Sequence, residues 1–430
     1  MASLRTLPAL RCRVRWAACA LLTALVAACG GGGEDLASAS GTAAPDAAAL
    51  RAGPSVGPAA ALPPGRAQLG QLIFTDPNLS VPSGTSCAAC HSANAGLAGN
   101  HGSRIGVAQG SLPTSIGLRN SMTNGYSGLV PRFEFVTQDG ETEAHGGLFW
   151  DGRADTLAQQ ALGPLLNPLE MNNPNRKAVV DKIAASPYAA LFKREFGANV
   201  FDNTDAAFTQ IGVAIEAFER ANLQAFSSKY DAMVRRQVVL TPNESRGMAL
   251  FMDPGRANCA GCHTMKPGSG KPEDSPFTDF SYYATGIPRN GAIPRNDDPA
   301  FYDLGLCGPE RTAPILPASL PAGTTIDSFC GKFSMPTLRN VAQRPAFMHN
   351  GAFRDLRQVV RFYSTRNSDP QRWYGRTGVA NDLPQRYLGN IESAKAPFNR
   401  KPEAGPVLNE SEIDDVLAFL QTLSDGFRVP

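Results

Sequence analysis

Cys87-Ala88-Ala89-Cys90-His91 is the stretch that decides the fold. In a C-x-x-C-H pattern, two thiols form thioether bonds to one haem, and the adjacent histidine supplies the proximal ligand of the iron. The pattern recurs at Cys259-Ala260-Gly261-Cys262-His263. A structural zinc site would need a second cysteine or histidine pair nearby, and neither motif has one within 15 residues. We therefore predict two haem c groups, whose thioether and axial residues are Cys87, Cys90 and His91 for the first and Cys259, Cys262 and His263 for the second.

The N-terminus has the composition of an export signal. Four arginines precede a short apolar stretch, residues 17–28, which is too short to span a membrane permanently. Val26-Ala27-Ala28-Cys29 is similar to a bacterial lipobox, in which the cysteine is lipidated and becomes the mature N-terminus. Ordinary signal cleavage near the same point is the alternative. We predict a lipoprotein signal peptide over residues 1–28, lipidation at Cys29, and a periplasmic location with the lipid anchor as the only membrane attachment.

Residues 29–65 consist mainly of Gly, Ala, Ser and Pro. Such a segment cannot bury enough apolar surface to fold, so it is predicted to be a flexible tether. The whole chain carries a formal charge of only +2, and this near-neutral balance argues against nucleic acid as a partner.

Two cysteines, Cys307 and Cys330, are left once the signal, the lipid site and the haem motifs are accounted for. In an oxidising compartment such a pair is expected to form a disulfide, which here would close a loop rich in Gly and Pro. Two free thiols are the alternative.

An internal repeat precedes the two haem motifs. Gly, Phe, Asp and Pro occur at identical offsets in residues 70–77 and 247–254. Each half also ends in an amphipathic helical pattern, one following Asn203 and Thr204 and the other following Ser411. Strand-like alternation is rare. The predicted fold class is mainly α, with two tandem cytochrome c-like domains, residues 66–235 and 236–430, each carrying one covalently bound haem c.

Four further strings resemble those of the bacterial di-haem cytochrome c peroxidase family, which includes the MauG-type enzyme that matures methylamine dehydrogenase. They are Leu112-Pro113-Thr114-Ser115-Ile116-Gly117, Phe149-Trp150-Asp151-Gly152-Arg153, Asn167-Pro168-Leu169-Glu170-Met171 and Pro336-Thr337-Leu338-Arg339-Asn340. The resemblance covers nearly all of the chain beyond the tether. It implies a peroxidatic haem in the N-terminal domain and an electron-transfer haem in the C-terminal domain, supplied by a small cytochrome c or a cupredoxin. It also favours a homodimer.

The resemblance assigns roles around the peroxidatic haem. Cleavage of the O–O bond of H2O2 requires an open iron position, a group that moves a proton and two reducing equivalents. Glu170 matches the acid/base carboxylate of the family, Gln160 its distal companion and Pro164 the pocket wall. Trp150 matches a tryptophan between the haems, a candidate electron relay. A solvated loop carboxylate and a core aromatic are the ordinary alternatives for Glu170 and Trp150.

Leu118 occupies a position at which many family members carry a histidine that caps the peroxidatic iron. Leucine cannot bind iron, so the first haem is expected to be open in the oxidised protein, with no need for reductive activation. His101 and His145 are the remaining candidates for a cap, although such histidines are more often exposed loop residues.

Tyr363 stands fourteen residues after His349, where typical family members have an axial methionine and the methylamine dehydrogenase maturation enzyme has a tyrosine. The periodicity of residues 356–363 independently places Tyr363 on the buried face of a helix. We predict Tyr363 as the axial ligand of the second haem, with Met335 and Met348 as alternatives and His349 as an inter-haem residue. A phenolate favours Fe(III) and higher states, whereas a thioether favours Fe(II).

The resemblance also implies a calcium ion between the domains. Asn120 matches the side-chain ligand of the family. The carbonyl groups of Arg344 and Ala346 would complete the site, although the family usually has Thr and Pro at these two positions.

Three functions follow from these assignments. The leading prediction is a di-haem cytochrome c peroxidase, H2O2 + 2 e⁻ + 2 H⁺ → 2 H2O. The first alternative, favoured by Tyr363, is a MauG-like oxidase that uses peroxide to reach a bis-Fe(IV) state and oxidises a protein partner. The second alternative is a non-catalytic electron-transfer cytochrome, against which Leu118, Gln160 and Glu170 argue.

Overall fold

The structure is a computed structural model that describes residues 65–138 and 140–430. The predicted signal peptide, the lipidation site Cys29 and the tether up to residue 64 lie outside the described residues. No helix within the described part of the chain is long and apolar enough to cross a membrane.

The fold is mainly helical, in agreement with the predicted class. Many 3-10 turns occupy the loops between the α-helices. The α-helices are α1 (Arg66–Thr75), α2 (Cys87–Cys90), α3 (Leu157–Leu166), α4 (Arg176–Ala184), α5 (Ala189–Phe196), α6 (Thr204–Asn222), α7 (Lys229–Val234), α8 (Pro242–Met252), α9 (Leu356–Thr365), α10 (Pro370–Tyr374) and α11 (Glu410–Gln421).

Two small antiparallel sheets interrupt the helices. Strands β1 (Glu134–Gln138) and β2 (Glu141–His145) form a hairpin in which Glu134 pairs with His145. Strands β3 (Tyr282–Tyr283) and β4 (Phe333–Ser334) form a second pair of only two residues each. These strands were not predicted from the sequence, because their alternation is too short to stand out.

The first hydrophobic core lies among α1, α3, α4 and α6. The helix α6 has the predicted apolar face, and the Asn203 side chain caps it by accepting a hydrogen bond from the amide of Ala206. Gly70 of the repeat lies where α1 crosses α6. A Cβ there would come within 1.9 Å of the Ala214 carbonyl oxygen, so the close crossing requires glycine.

The second core repeats this arrangement with α8 and α11, and α9 packs beside them. A Cβ at Gly247 would come within 1.9 Å of the Asp415 carbonyl oxygen, so the two glycines of the sequence repeat serve the same crossing. The predicted start of the last helix was wrong. Asn409, not Ser411, is the N-cap, and it forms a capping box with Glu412.

The second core also includes side chains from α7. Tyr230 and Val234 are buried in it, although both lie before residue 236, the predicted start of the C-terminal domain. The boundary between the two domains stays a prediction.

A disulfide joins Cys307 to Cys330, with an S–S distance of 2.07 Å. The loop that it closes packs on the hairpin, because Leu306 and Phe329 share a small buried cluster with Ala144 and Tyr282. This contact brings a long loop from the C-terminal half against the hairpin, which lies between α2 and α3 in the sequence.

Candidate active site

Two cavities lie beside the two C-x-x-C-H motifs. Cys90 and His91 line the first cavity. Cys87, on the same short helix α2, packs against the first core. The His91 ring lies with Nδ1 3.1 Å from the Leu97 carbonyl oxygen. A ring that donates from Nδ1 to this oxygen leaves the Nε2 lone pair free for a metal.

The second cavity repeats this geometry. Cys259, Cys262 and His263 line it, and Nδ1 of His263 lies 3.0 Å from the Phe277 carbonyl oxygen. Burial lowers the pKa of His263 to about 4 and also lowers the pKa of His91. Both imidazoles are therefore neutral at physiological pH, as ligation of a metal requires.

Each cavity fits a covalently attached haem. All four motif cysteines are free thiols in the structure, and three of them face a cavity together with a histidine whose ring is oriented by a backbone carbonyl. His91 and His263 would hold iron, and the thiols would bind the porphyrin edge.

Glu170 lines the first cavity, in the turn that follows α3. Asn167 donates a hydrogen bond of 2.7 Å from Nδ2 to Oε1 of Glu170. Burial raises the pKa of Glu170; the Asn167 hydrogen bond and the nearby Arg153 charge oppose this rise, and Glu310 adds to it. A carboxyl group with a raised pKa is suited to accept and return a proton near neutral pH.

The same cavity wall includes the other residues predicted for the peroxidatic side. Gln160 and Pro164 reach it from α3, whose N-terminus is capped by the side chain of Thr156. Leu118 also lines the cavity. The structure therefore brings the predicted residues Gln160, Pro164, Glu170 and Leu118 to the cavity that contains His91.

Trp150 lines both cavities. It is buried, and its Nε1 donates a 2.8 Å hydrogen bond to the Asn120 carbonyl oxygen. This bond fixes the indole between the two histidine-containing cavities, which is the position that the predicted relay requires.

Tyr363 lines the second cavity together with the motif that contains His263. The other residues of its periodic stripe, Leu356, Val359 and Val360, line the same cavity. The buried face of α9 that the periodicity predicted is thus largely a cavity wall. Burial raises the pKa of Tyr363, so the phenol keeps its proton at neutral pH unless a metal ion displaces it.

The remaining histidines and methionines divide between the cavities and the loops. His101 and His145 are not among the residues that line either cavity; each lies against a loop or strand partner, Gln109 and Glu134 respectively. Met335 lines both cavities and Met348 lines the second.

His349 is buried beside the second cavity. Its ring stacks on Phe333 with a centroid distance of 3.5 Å, and Nε2 lies 3.3 Å from Asp382. The Trp150 ring lies edge-on at 6.4 Å from it, which agrees with an inter-haem position.

Asn120 and Ala346 of the predicted calcium site are in contact, and the calcium site itself stays a prediction. Asn120 does meet the Ala346 carbonyl, but it does so with Nδ2, which donates 3.1 Å hydrogen bonds to the carbonyls of Ala346 and Met348. Its oxygen accepts a hydrogen bond from Asn100 instead. Calcium binds oxygen ligands, so calcium binding through the Asn120 side chain would require its amide to turn over.

The orientation of Asn120 is fixed by Asn100. Asn100 accepts a 2.6 Å hydrogen bond from the amide of Ser121 and donates a 3.0 Å bond to the Gly106 carbonyl. These two backbone partners determine which end of the Asn100 amide is oxygen. The Arg344 guanidinium is bonded to the carbonyls of Thr337 and Arg339.

Two charged residues of the first cavity were missed by sequence reasoning. Arg153 and Glu310 line it together, with Arg153 NH2 3.5 Å from Glu310 Oε2. Arg153 belongs to a string that was noticed, but Glu310 lies 140 residues beyond Glu170 in an unremarkable loop. No spacing in the sequence signals that this loop returns to the first cavity.

Comparison with known proteins places the chain in a family. Residues 64–238 match the family described as di-haem cytochrome c peroxidase. The chain is 34% identical over 363 residues to the methylamine utilization protein MauG of Paracoccus denitrificans, covering 84% of this chain and 88% of the relative. The chain belongs to the di-haem cytochrome c peroxidase family and is an oxidoreductase.

Other relatives agree with this assignment. The cytochrome c551 peroxidase of Nitrosomonas europaea is 27% identical, over 85% of this chain and 82% of its own. Among solved structures, the diheme peroxidase BthA from Burkholderia thailandensis is similar with a TM-score of 0.75 and 39% identity, covering 84% of this chain and 86% of that chain.

Proposed function

We propose that this protein reduces H2O2 to water at the first cavity, H2O2 + 2 e⁻ + 2 H⁺ → 2 H2O, with electrons that arrive through the second cavity. One observation carries the proposal. Among the described residues, the carboxylate Glu170 and the amide Gln160 line the His91 cavity and not the His263 cavity. The relatives named cytochrome c peroxidase support peroxide as the substrate.

Bound haem c at each motif would supply the redox chemistry. Glu170 accepts the proton of the bound peroxide oxygen and returns it to the departing oxygen, which leaves as water. Asn167 holds Oε1 in place by its hydrogen bond, so the other carboxyl oxygen faces the substrate. Gln160 orients the peroxide from α3, and Leu118 leaves the iron position unblocked.

Trp150 is proposed as the path for electrons between the two sites. Its indole borders both cavities, and its hydrogen bond to Asn120 holds it in one orientation. A small cytochrome c or a cupredoxin would deliver the electrons to the second haem.

A second candidate function rests on Tyr363. A tyrosine on the wall of the second cavity would stabilise oxidised iron through its phenolate, and such a haem receives electrons poorly from a high-potential donor. The protein would then use peroxide to oxidise a protein partner, as the methylamine utilization relative suggests.

The remaining assignments are part of the same proposal. Cys87 and Cys90 would bind one haem c and Cys259 and Cys262 the other, with His91, His263 and Tyr363 as axial ligands. The two haems would belong to two cytochrome c-like domains, divided near residue 236. The mature chain would be a periplasmic lipoprotein attached through Cys29, and a homodimer is proposed from the family resemblance.

Steady-state turnover separates the candidate functions. The holoprotein with two haems is mixed with reduced small cytochrome c and H2O2, and oxidation of the cytochrome is followed. The peroxidase predicts catalytic oxidation that depends on both reagents. Oxidation of the cytochrome that stops at the electrons the two haems can accept, and that H2O2 does not change, would identify an electron carrier. Consumption of H2O2 that oxidises the two haems but not the cytochrome would favour the protein oxidase.

A further inference from the structure

A short stretch of the disulfide loop fastens onto the first cavity. Asp303 accepts hydrogen bonds of 2.6 and 2.8 Å from the guanidinium of Arg119, the neighbour of Leu118. Arg311 donates a 2.7 Å bond to the Asp151 carbonyl. Residues 303–311 thus hold the two segments that supply Leu118 and Trp150 to the cavity.

Glu310 makes the third contact of this stretch, with Arg153, and both side chains line the first cavity. Its partner Arg153 also bonds both carboxylate oxygens of Asp151 at 2.9 Å and lies 3.7 Å above the ring of Phe149. The side chains of Arg153 and Glu310 are 22% and 24% exposed. The pair therefore lies where the cavity meets solvent, and it is only partly screened by water.

A disulfide and two buried side chains restrain the loop that carries Glu310. The Cys307–Cys330 disulfide lies three residues before it, and Leu306 and Phe329 anchor the loop in the cluster with Tyr282. A carboxylate on a loop held in this way loses little additional conformational entropy when it pairs with Arg153.

We propose that Glu310 is a positioning residue for the peroxide chemistry at Glu170, and that it acts by holding Arg153 at the mouth of the first cavity. This inference rests on the proposed function. Arg153 has two anionic partners, Asp151 and Glu310. Asp151 also pairs with Arg119 at 2.7 Å. Without Glu310, Arg153 would depend on a carboxylate that it shares with Arg119, so its position at the cavity mouth would be less well fixed.

The electrostatics of the cavity give this role a measurable consequence. Glu170 shares the first cavity with the charged side chains of Arg153, Glu310 and Arg119, with Asn167 and with Cys90. Arg153 lowers the pKa of Glu170, and Glu310 raises it. Removing the Glu310 charge therefore lowers the pKa of Glu170 and weakens it as a base.

The test uses the holoprotein with two haems and compares wild type with Glu310→Gln. Stopped-flow absorbance gives the second-order rate constant for H2O2 at the first haem across pH. The proposal expects a decrease of about three- to tenfold at neutral pH, and a midpoint shifted to lower pH. Glu310→Asp should recover part of the rate. Glu403→Gln, a change at an exposed carboxylate elsewhere in the chain, should behave as wild type.

A second variant removes the restraint on Glu310 without removing its charge. Cys307→Ser/Cys330→Ser keeps the Glu310 charge but releases its loop, and it should lower the rate constant in the same direction. Wild-type rate and pH midpoint in both variants would overturn the inference. If Glu170→Gln also reacted at the wild-type rate, the proposed function would fail. A slow Glu170→Gln beside a normal Glu310→Gln would refute the positioning role alone.

Discussion

Glu170 shows how one residue is prepared for proton transfer by its surroundings. Burial raises its pKa, while Asn167 and Arg153 limit the rise. A group that must accept a proton works only when it is ionised. The rate of reaction with peroxide should therefore fall as the pH is lowered through the raised pKa of Glu170.

Glu170→Gln should remove this proton transfer with little change in shape. We expect the rate constant for H2O2 to fall by roughly 10²–10⁴ and its dependence on the Glu170 ionisation to disappear. Stopped-flow measurements across pH check both results, with Glu403→Gln as the matched control. An unchanged rate would exclude Glu170 from the mechanism.

Asn120 leads to a prediction about calcium. Its amide nitrogen faces the carbonyls that the family resemblance assigns to calcium, and Asn100 fixes this orientation. We expect that a calcium chelator leaves the absorption and EPR spectra of the holoprotein unchanged, and that added Ca²⁺ has no effect. Asn100→Ala should alter the spectra by releasing Asn120. Loss of a haem signal on chelation, restored by Ca²⁺, would show that the site binds calcium after all.

At the scale of elements, the two helix crossings explain the sequence repeat. Gly70 and Gly247 each lie where a Cβ would overlap a backbone oxygen of the facing helix. The repeat therefore preserves a packing geometry, α1 on α6 and α8 on α11, as well as the approach to each haem motif.

Gly247→Ala should force α8 away from α11 and destabilise the second core. Overpacking of this kind costs about 1–3 kcal/mol, or more when the obstacle is backbone. Thermal unfolding of the holoprotein, followed by circular dichroism, measures the loss. The control is Gly268→Ala, since a Cβ at Gly268 meets nothing within 4 Å. Equal stability of the two variants would mean that the crossing is not tight.

The sequence predicted the elements whose signals are local and missed those that depend on distant contacts. The apolar stripes of α6, α9 and α11 and the haem motifs are periodic or contiguous, so they could be found without a structure. The alternation of the β1–β2 hairpin is too short to stand out, and the contact between Glu310 and Arg153 depends on a loop that returns from far along the sequence. The N-cap of α11 was misplaced by two residues because Asn409 and Ser411 are both good capping residues.

At the scale of the molecule, the two cavities share a wall but differ in chemistry. Trp150 borders both, while Glu170 lies on one side and Tyr363 on the other. This asymmetry supports the proposal that peroxide reacts at one site and that the other site holds charge.

Tyr363→Met tests whether Tyr363 sets the reduction potential of the second haem. A thioether in place of a phenolate favours Fe(II), so we expect the reduction potential of the second haem to rise. Spectroelectrochemistry of the holoprotein measures the potentials of both haems, and the first should change little. Tyr363→Phe serves as a comparison because it removes the oxygen and supplies no sulfur. If the second haem has the same reduction potential in the wild type, in Tyr363→Met and in Tyr363→Phe, Tyr363 is not a ligand of its iron.

The openness of the first haem is the central claim, and EPR of the resting, fully oxidised holoprotein tests it most directly. We predict a high-spin ferric signal from the haem at His91, which disappears on addition of H2O2 without prior reduction. Leu118→His should convert this signal to low spin by supplying the missing cap. A wild-type spectrum that contains only low-spin haem would contradict the account.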